Sequence, residues 1–342
     1  MPIAIDGSRL LSKNPTGVEV YCRNIIKGLL VKSTDLILYT PKLILGLPEK
    51  NQQVLSWPFK KLWSQVSLGL ELLIHPPAVF FSPGYVIPFL ALLNKKTKKI
   101  VTIHDLGFIY IPESYSVFQK WFLNITTKQA VKYAQKIITP TQATKDDLMK
   151  YFNCPEDKIA VTYFGHNQPP AACSSRPNNK KKQILFLGRL EEKKNINNLI
   201  KAFQIFYQKH PDYKLILAGK PGRGFKENKY NIGYISDDKK NQLLQESSCL
   251  VLISKHEGFG FPVLEAFSHN LPVLASDIPV LREIGQDGCL YANPKSPQDI
   301  AQKLEKITQD QNLRQNLIHQ GQTRLENFDW QKCVEKTWQT AL

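Results

Sequence analysis

Along the chain, short apolar runs alternate with longer stretches whose apolar residues return every three or four positions. The runs IAID (3–6), LILY (36–39), AVFF (78–81), KIVTI (99–103) and KIITP (136–140) predict strands, and the stretches 18–31 and 117–135 predict helices. A parallel sheet flanked by helices produces that rhythm. It stops at residue 166: the text to residue 182, HNQPPAACSSRPNNKKK, is rich in Pro, Ser, Asn and Lys without an apolar period, which predicts an exposed linker. The rhythm restarts with QILFLG (183–188), a helix from about Asn195 to His210, KLILAG (214–219), a helix near 239–247 and CLVLIS (249–254). A helix from Phe261, PVLAS (272–276) and CLY (289–291) follow.

The expected organisation is two α/β domains, 1–165 and 183–326, joined by the linker 166–182. A closing helix over 327–342 follows, with Asp329 at its cap and Val334 and Trp338 at helical spacing. At 342 residues, each domain has enough chain for its own core. Open α/β sheets bind ligands beyond the carboxyl ends of their strands, so two in tandem predict a site in a cleft between the domains. No repeat of solenoid period interrupts the pattern.

Charge narrows the choice of ligand. The net charge is +16, with 20 Lys and Arg against 11 Asp and Glu in residues 1–165 and 25 against 18 in the remainder. Neither half is a basic tail, and the excess points to an anionic partner: a phosphorylated ligand, an acidic membrane face or nucleic acid. Nucleic acid lacks the aromatic-basic or helix-turn-helix pattern it would need. The six cysteines (Cys22, Cys154, Cys173, Cys249, Cys289, Cys333) have no paired spacing, which argues against a zinc site or a disulfide framework and for a reducing, cytoplasmic setting. The opening MPIAIDGSRLL lacks the pattern of a signal peptide, and no run approaches the ~20 apolar residues that span a bilayer.

Candidate chemistry concentrates in EGFGFPVLE, residues 257–265, directly after a predicted strand. Pro262 suits the first turn of a helix, so Gly258 and Gly260 form a strand-to-helix turn where backbone N–H groups and the helix dipole favour an anion such as diphosphate. Glu257 before the turn and Glu265 in the helix's first turn flank that anion site, and carboxylates accept hydrogen bonds from hydroxyls. A ligand with phosphates in the middle and a hydroxylated ring at each end, a nucleotide sugar, satisfies both. On this segment alone a second reading stands: Glu265 complements the helix dipole and Glu257 is solvated. Arg189 follows the strand QILFLG, and Lys193 and Lys194 precede a helix, so cations suited to phosphate stand at the same sheet edge. The acidic pairs in SDD (236–238) and KDD (145–147) read as helix-start carboxylates in preference to metal ligands. His104-Asp105 has two readings, a functional histidine or a strand end that caps its turn. Gly219, Gly222 and Gly224 read as a turn after a strand.

GRLEEKKN (188–195) and SKHEGFGFPVLEAFSHNLPVLASDIPVLREIGQDGCLY (254–291), together with PTGVEVY (15–21), VTIHDLGF (101–108), TPTQATKDDLMKYF (139–152) and FDWQKCVEKTWQTAL (328–342), resemble the family 4 retaining glycosyltransferases of GT-B fold. The resemblance spans nearly the whole chain and implies two Rossmann-like α/β domains facing each other across a cleft, with the closing helix crossing back to the first. It implies that Arg189 and Lys194 grip the donor diphosphate, that Glu257 contacts the donor sugar and that Glu265 binds the ribose hydroxyls. Phe259, Gly260 and Phe261 would offer backbone contacts. His104 would face the transferred sugar, and Gly17 would belong to a loop over the phosphates, although the Gly-Gly pair frequent in the family reads PTGVE here. Transfer would be front-face, with leaving-group phosphate assisting acceptor deprotonation.

Cations and helix-end N–H groups can neutralise a departing nucleoside diphosphate by preorganised electrostatics, so neither a metal nor a cofactor is expected. VTIHDLGFIYIPESYS (101–116) resembles the mannosyltransferase branch, which favours GDP-mannose as donor and a saccharide or lipid-linked saccharide as acceptor, in surface polysaccharide or glycan assembly. UDP-sugar transfer, sugar-nucleotide epimerisation and non-enzymatic binding of an anionic ligand are the alternatives. GYVIPFLALLNKKTKK (84–99), with Lys95, Lys96, Lys98 and Lys99, and nearby Trp57, Lys60, Lys61 and Trp63 also read as a patch for peripheral contact with an anionic membrane, or as a buried helix and a solvated loop.

Overall fold

The computed structural model describes residues 3–12, 15–57, 62–167 and 180–341. The centre of the expected linker, 168–179, and Lys60 and Lys61 lie outside the described residues. The first part of the chain runs β1 (Ile3–Asp6), α1 (Gly17–Lys32), β2 (Leu36–Thr40), β3 (Gln52–Val54), α2 (Ser67–Ile74), β4 (Val79–Ser82), β5 (Lys98–Thr102), α3 (Gly107–Tyr110), α4 (Val117–Tyr133), β6 (Lys136–Thr139), α5 (Gln142–Phe152) and β7 (Ile159–Val161). Its seven strands form one parallel sheet of order β3-β2-β1-β4-β5-β6-β7.

The second part runs β8 (Gln183–Leu187), α6 (Ile196–Lys209), β9 (Lys214–Ala218), β10 (Asn231–Gly233), α7 (Asp237–Glu246), β11 (Cys249–Leu252), α8 (Phe261–Ser268), β12 (Val273–Ser276), α9 (Pro279–Gly285), β13 (Cys289–Ala292), α10 (Pro297–Gln309), α11 (Gln311–Leu325) and α12 (Trp330–Ala341). Six strands form a second parallel sheet, β10-β9-β8-β11-β12-β13. Both sheets are doubly wound: the chain builds outward from β1 or β8 on one side, then returns to build on the other. The strand order therefore reverses between β1 and β4, and between β8 and β11, where such sheets bind ligands.

Each central strand is buried on both faces, which is why it reads as a continuous apolar run; all of β8, β11 and β12 are buried. The three strands that sequence reading does not find, β3, β7 and β10, are three-residue edges with partly exposed residues. Helix starts follow local chemistry. Ser236 caps α7, with Asp237 and Asp238 in its first turn as expected. KDD behaves differently: Thr141 caps α5, so Asp146 and Asp147 fall in the second turn, and Asp146 accepts a hydrogen bond from Gln142 instead of facing the helix end.

The chain divides into two compact units. Unit 1 holds residues 1–106, 117–165 and 329–342, and unit 2 holds 107–116 and 166–328. In unit 1, α12 packs on α1, with Lys32 paired to Glu335 and Asp329 capping the helix. Residues 107–116, inside the stretch expected for the first domain, cluster with unit 2. Tyr110 stacks on His256 at 4.9 Å there, and Lys255 lies 3.8 Å from Glu113 and 3.5 Å from Glu192. Among the described residues no helix is long and apolar enough to cross a membrane. Two members of the expected membrane patch are interior. Lys99 is buried with its amine donating to the Asn94 and Thr97 carbonyls, and Trp63 is buried with Nε1 donating to Leu55 O at 2.6 Å.

Candidate active site

In unit 2 the chain leaving β8 and β11 supplies the candidate residues. The end of β9 approaches so closely that a Cβ on Gly219 would lie 1.7 Å from the Gly188 carbonyl oxygen, so this backbone crossing requires glycine. Arg189 projects from it with 58% of its side chain exposed, and its Nε lies 3.7 Å from Glu191. Lys193 lies 3.3 Å from the same carboxylate. Asn195, in the left-handed region at φ +58°, turns the chain into α6 and is anchored by Nδ2 donating to Pro294 O at 2.7 Å.

Lys194 and Glu257, read separately as a phosphate cation and a sugar-binding carboxylate, form one ion pair. Lys194 Nζ lies 2.6 Å from Glu257 Oε1, and Ser254 Oγ donates to the same oxygen at 2.5 Å. Glu257 is buried. Burial pushes its carboxyl up, but Lys194 and Ser254 outweigh that and hold it below the usual carboxylate range. Glu257 is therefore an oriented anion, and the solvated reading of this residue is set aside. The sequence marks Ser254 only as the end of a strand, although its position three residues ahead of Glu257 is a local signal.

The loop after Glu257 makes the turn expected of it. Gly260 caps α8 at φ +103°, a backbone conformation a side chain resists, and a Cβ there would lie 2.9 Å from Leu281 Cδ2. Helix α8 begins at Phe261 with Pro262 in its first turn, so the loop delivers helix-end N–H groups to the sheet edge. Phe259 is buried edge-on against Phe261 at 5.1 Å and Phe328 at 5.8 Å, which leaves backbone as what it can offer a ligand.

Glu265 is one turn further along than expected. With Phe261 as the first helical residue it lies in the second turn, and α8 has no acidic residue in its first. The helix end is not its partner: Lys240 Nζ lies 2.8 Å from Glu265 and 3.1 Å from Asp237. Burial pushes the Lys240 amine down, and the two carboxylates outweigh it and raise the amine above its ordinary value. Lys240 sits 25 residues away in sequence, on α7, and no local pattern announces it.

In unit 1 the corresponding edge gathers Asp6, Arg9, Glu19 and His104. His104 is buried, and its Nε2 lies 2.8 Å from the Pro83 carbonyl, so Nε2 carries the proton of the neutral ring. Burial pushes its pKa down to about 4, against the smaller opposing effect of the Pro83 contact. Tyr21 and Phe164 pack against the ring at 5.1 and 5.7 Å. Asp6 is buried and its carboxyl raised, although Ser8 N donates to it at 2.9 Å. Gly17 is the exposed first residue of α1. Ahead of it Thr16 and Glu19 form a reciprocal capping box, a T-x-x-E signature legible in PTGVE but not read there. Arg9 Nη1 donates to Glu19 at 3.4 Å. Among the described residues no three His, Cys, Asp or Glu side chains gather as a metal site.

Two family models match, a glycosyltransferase family 4 domain over residues 15–167 and a glycosyl transferases group 1 domain over 171–324. The chain is 26% identical to O-antigen chain mannosyltransferase B of Escherichia coli, over 76% of this chain and 72% of that protein. It is 31% identical to an uncharacterised glycosyltransferase of Methanocaldococcus jannaschii, over 71% of this chain and 68% of that one. Among solved structures it resembles Anabaena Alr3699/HepE in complex with UDP-glucose, with a TM-score of 0.74, 18% identity and 99% of both chains covered. With these matches spanning both sheets and the motifs at their carboxyl edges, the chain belongs to the group 1 and family 4 glycosyltransferases and has the GT-B fold.

Proposed function

We infer that this glycosyltransferase moves mannose from GDP-mannose to a saccharide or lipid-linked saccharide acceptor, with retention and without a metal ion. The observation that carries the reading is the Glu257 constellation. A buried carboxylate, fixed by Lys194 and Ser254, precedes the turn into the N-terminus of α8, and the exposed Arg189 follows β8, the strand that pairs with β11. Arg189 and the helix-end N–H groups take the diphosphate and its developing charge. Glu257 orients the sugar through its hydroxyls, and Glu265 accepts from the ribose. His104 and Gly17 enter as orienting positions of unit 1.

Mannose leads because the E. coli relative is named a mannosyltransferase of the O-antigen chain. UDP-linked hexose is the second reading, favoured by the fold similarity to a protein solved with UDP-glucose. Calorimetric titration with GDP, UDP, ADP and GDP-mannose in EDTA tests donor and metal dependence together. Micromolar-range binding of GDP and GDP-mannose is expected; preference for UDP transfers the reading to the second donor, and binding only after Mg²⁺ is supplied overturns metal independence.

A further inference from the structure

The exposed side chains of unit 1 include a set of large apolar ones outside the candidate site described above. On the first turns of α4, Val117, Phe118 and Trp121 are 80, 69 and 56% exposed. Phe118 packs at 5.9 Å from Trp121 and 6.3 Å from Phe122, and Phe122 meets Phe89 edge-on at 6.4 Å. These ring contacts link α4 to the segment that ends at Leu93, itself 68% exposed. Isolated exposed hydrophobics are ordinary, whereas a linked aromatic set on one unit marks an interaction surface.

The surrounding charge says what covers it. Residues 85–103 and 117–133 contain no Asp or Glu, and carry Lys95, Lys96, Lys98 and Lys99 in the first stretch and Lys120, Lys128 and Lys132 in the second. Lys99 is interior, but Lys95 and Lys96, which follow Leu93 by two and three residues, and Lys128, two turns beyond Trp121 on α4, are exposed. A second copy of the chain would set these acid-free, lysine-bearing segments against themselves in a self-complementary interface, an unfavourable pairing of like charges. An anionic lipid surface satisfies both features, with aromatic rings entering the headgroup region and lysines meeting lipid phosphates.

We propose that Phe118, Trp121, Phe89 and Leu93, with the exposed Lys95, Lys96 and Lys128 of the same two segments, dock this enzyme on an anionic bilayer. The docking surface differs from the one the sequence suggests, because Lys99 and Trp63 are committed to the interior while α4 supplies the aromatics. It also goes beyond the donor reading, since lipid partition needs neither nucleotide nor acceptor.

The full chain is tested by flotation with vesicles of phosphatidylcholine alone and of phosphatidylcholine with phosphatidylglycerol. The wild type should float with the anionic vesicles, and Phe118→Ser with Trp121→Ser should lower that partition at least about tenfold. Lys95→Gln and Lys96→Gln should each lower it about fivefold on anionic vesicles and leave neutral ones unaffected. All variants should keep the wild-type unfolding midpoint and nucleoside diphosphate affinity, read without lipid on the same samples. Absence of flotation, or equal flotation of wild type and the aromatic double variant, overturns the proposal. Self-association without lipid that the double variant abolishes assigns the surface to a second copy instead.

Discussion

The two sheets share one winding, but the buried groups at their carboxyl edges differ in charge. In unit 2 that edge is charged: Glu257 is an anion whose carboxyl is held below its usual range, paired to Lys194, and Arg189 is exposed after the neighbouring strand β8. In unit 1 burial opposes charge, leaving His104 neutral with a pKa near 4 and the Asp6 carboxyl raised. Topology thus sets where a ligand meets a doubly wound sheet, and the side chains set what it meets. The cations and helix-end N–H groups of unit 2 suit a diphosphate; a neutral, desolvated His104, its Nε2 proton committed to Pro83, suits a hydroxyl group that donates to Nδ1.

The largest effect expected is at Glu257. Glu257→Ala leaves Lys194 without its buried partner, and should cost about 3–5 kcal/mol of stability. It should lower turnover about 10²–10³-fold while weakening donor binding much less, read as kcat against the donor Kd. Full turnover in a folded Glu257→Ala variant would break the contrast between the two edges. His104 tests the other side. Its folded pKa lies below the unfolded value, so between about pH 6.5 and 4 the unfolded chain binds the extra proton and stability falls with falling pH. Denaturant unfolding across that window should show a loss of about 2–3 kcal/mol, which His104→Asn removes. A wild-type stability indifferent to pH there would mean that His104 is not held neutral.

Much of this was legible because some residues carry their geometry locally. Apolar runs marked the central strands, and Gly-Phe-Gly-Phe-Pro fixed the turn into α8, since Gly and Pro report backbone conformation directly. What stayed hidden depends on partners distant in sequence. Glu257 and Lys194 lie 63 residues apart, and nothing in either segment says that they neutralise each other. The same holds for Lys240 with Glu265, and for Lys99, whose amine turns inward to two carbonyls. Strands β3 and β10, reading QQV and NIG, lie on sheet edges where burial imposes no apolar pattern.

Arg189 separates charge attraction from shape. With most of its side chain exposed, Arg189→Ala should leave the unfolding midpoint nearly unchanged and weaken GDP binding about tenfold to a hundredfold. Guanosine, which lacks the diphosphate, should bind both proteins equally. Equal losses for the two ligands would place Arg189 at the base or ribose, and the charged edge would then reduce to the Lys194–Glu257 pair.

The smallest effect, and the sharpest, concerns Glu265. Helix-dipole complementation has no basis for a residue in the second turn, so its contact with Lys240 is either an end in itself or a device that orients the carboxylate. If it orients the carboxylate toward a ribose, removing the ribose hydroxyls and removing Glu265 should have the same effect. Wild-type protein should bind 2′,3′-dideoxy-GDP about tenfold more weakly than GDP, and Glu265→Ala should bind the two alike. Lys240→Met should fall between them, because it frees the carboxylate without deleting it. Should Glu265→Ala still prefer GDP by the wild-type ratio, the pair is structural, and ribose recognition belongs to another group at the unit 2 edge.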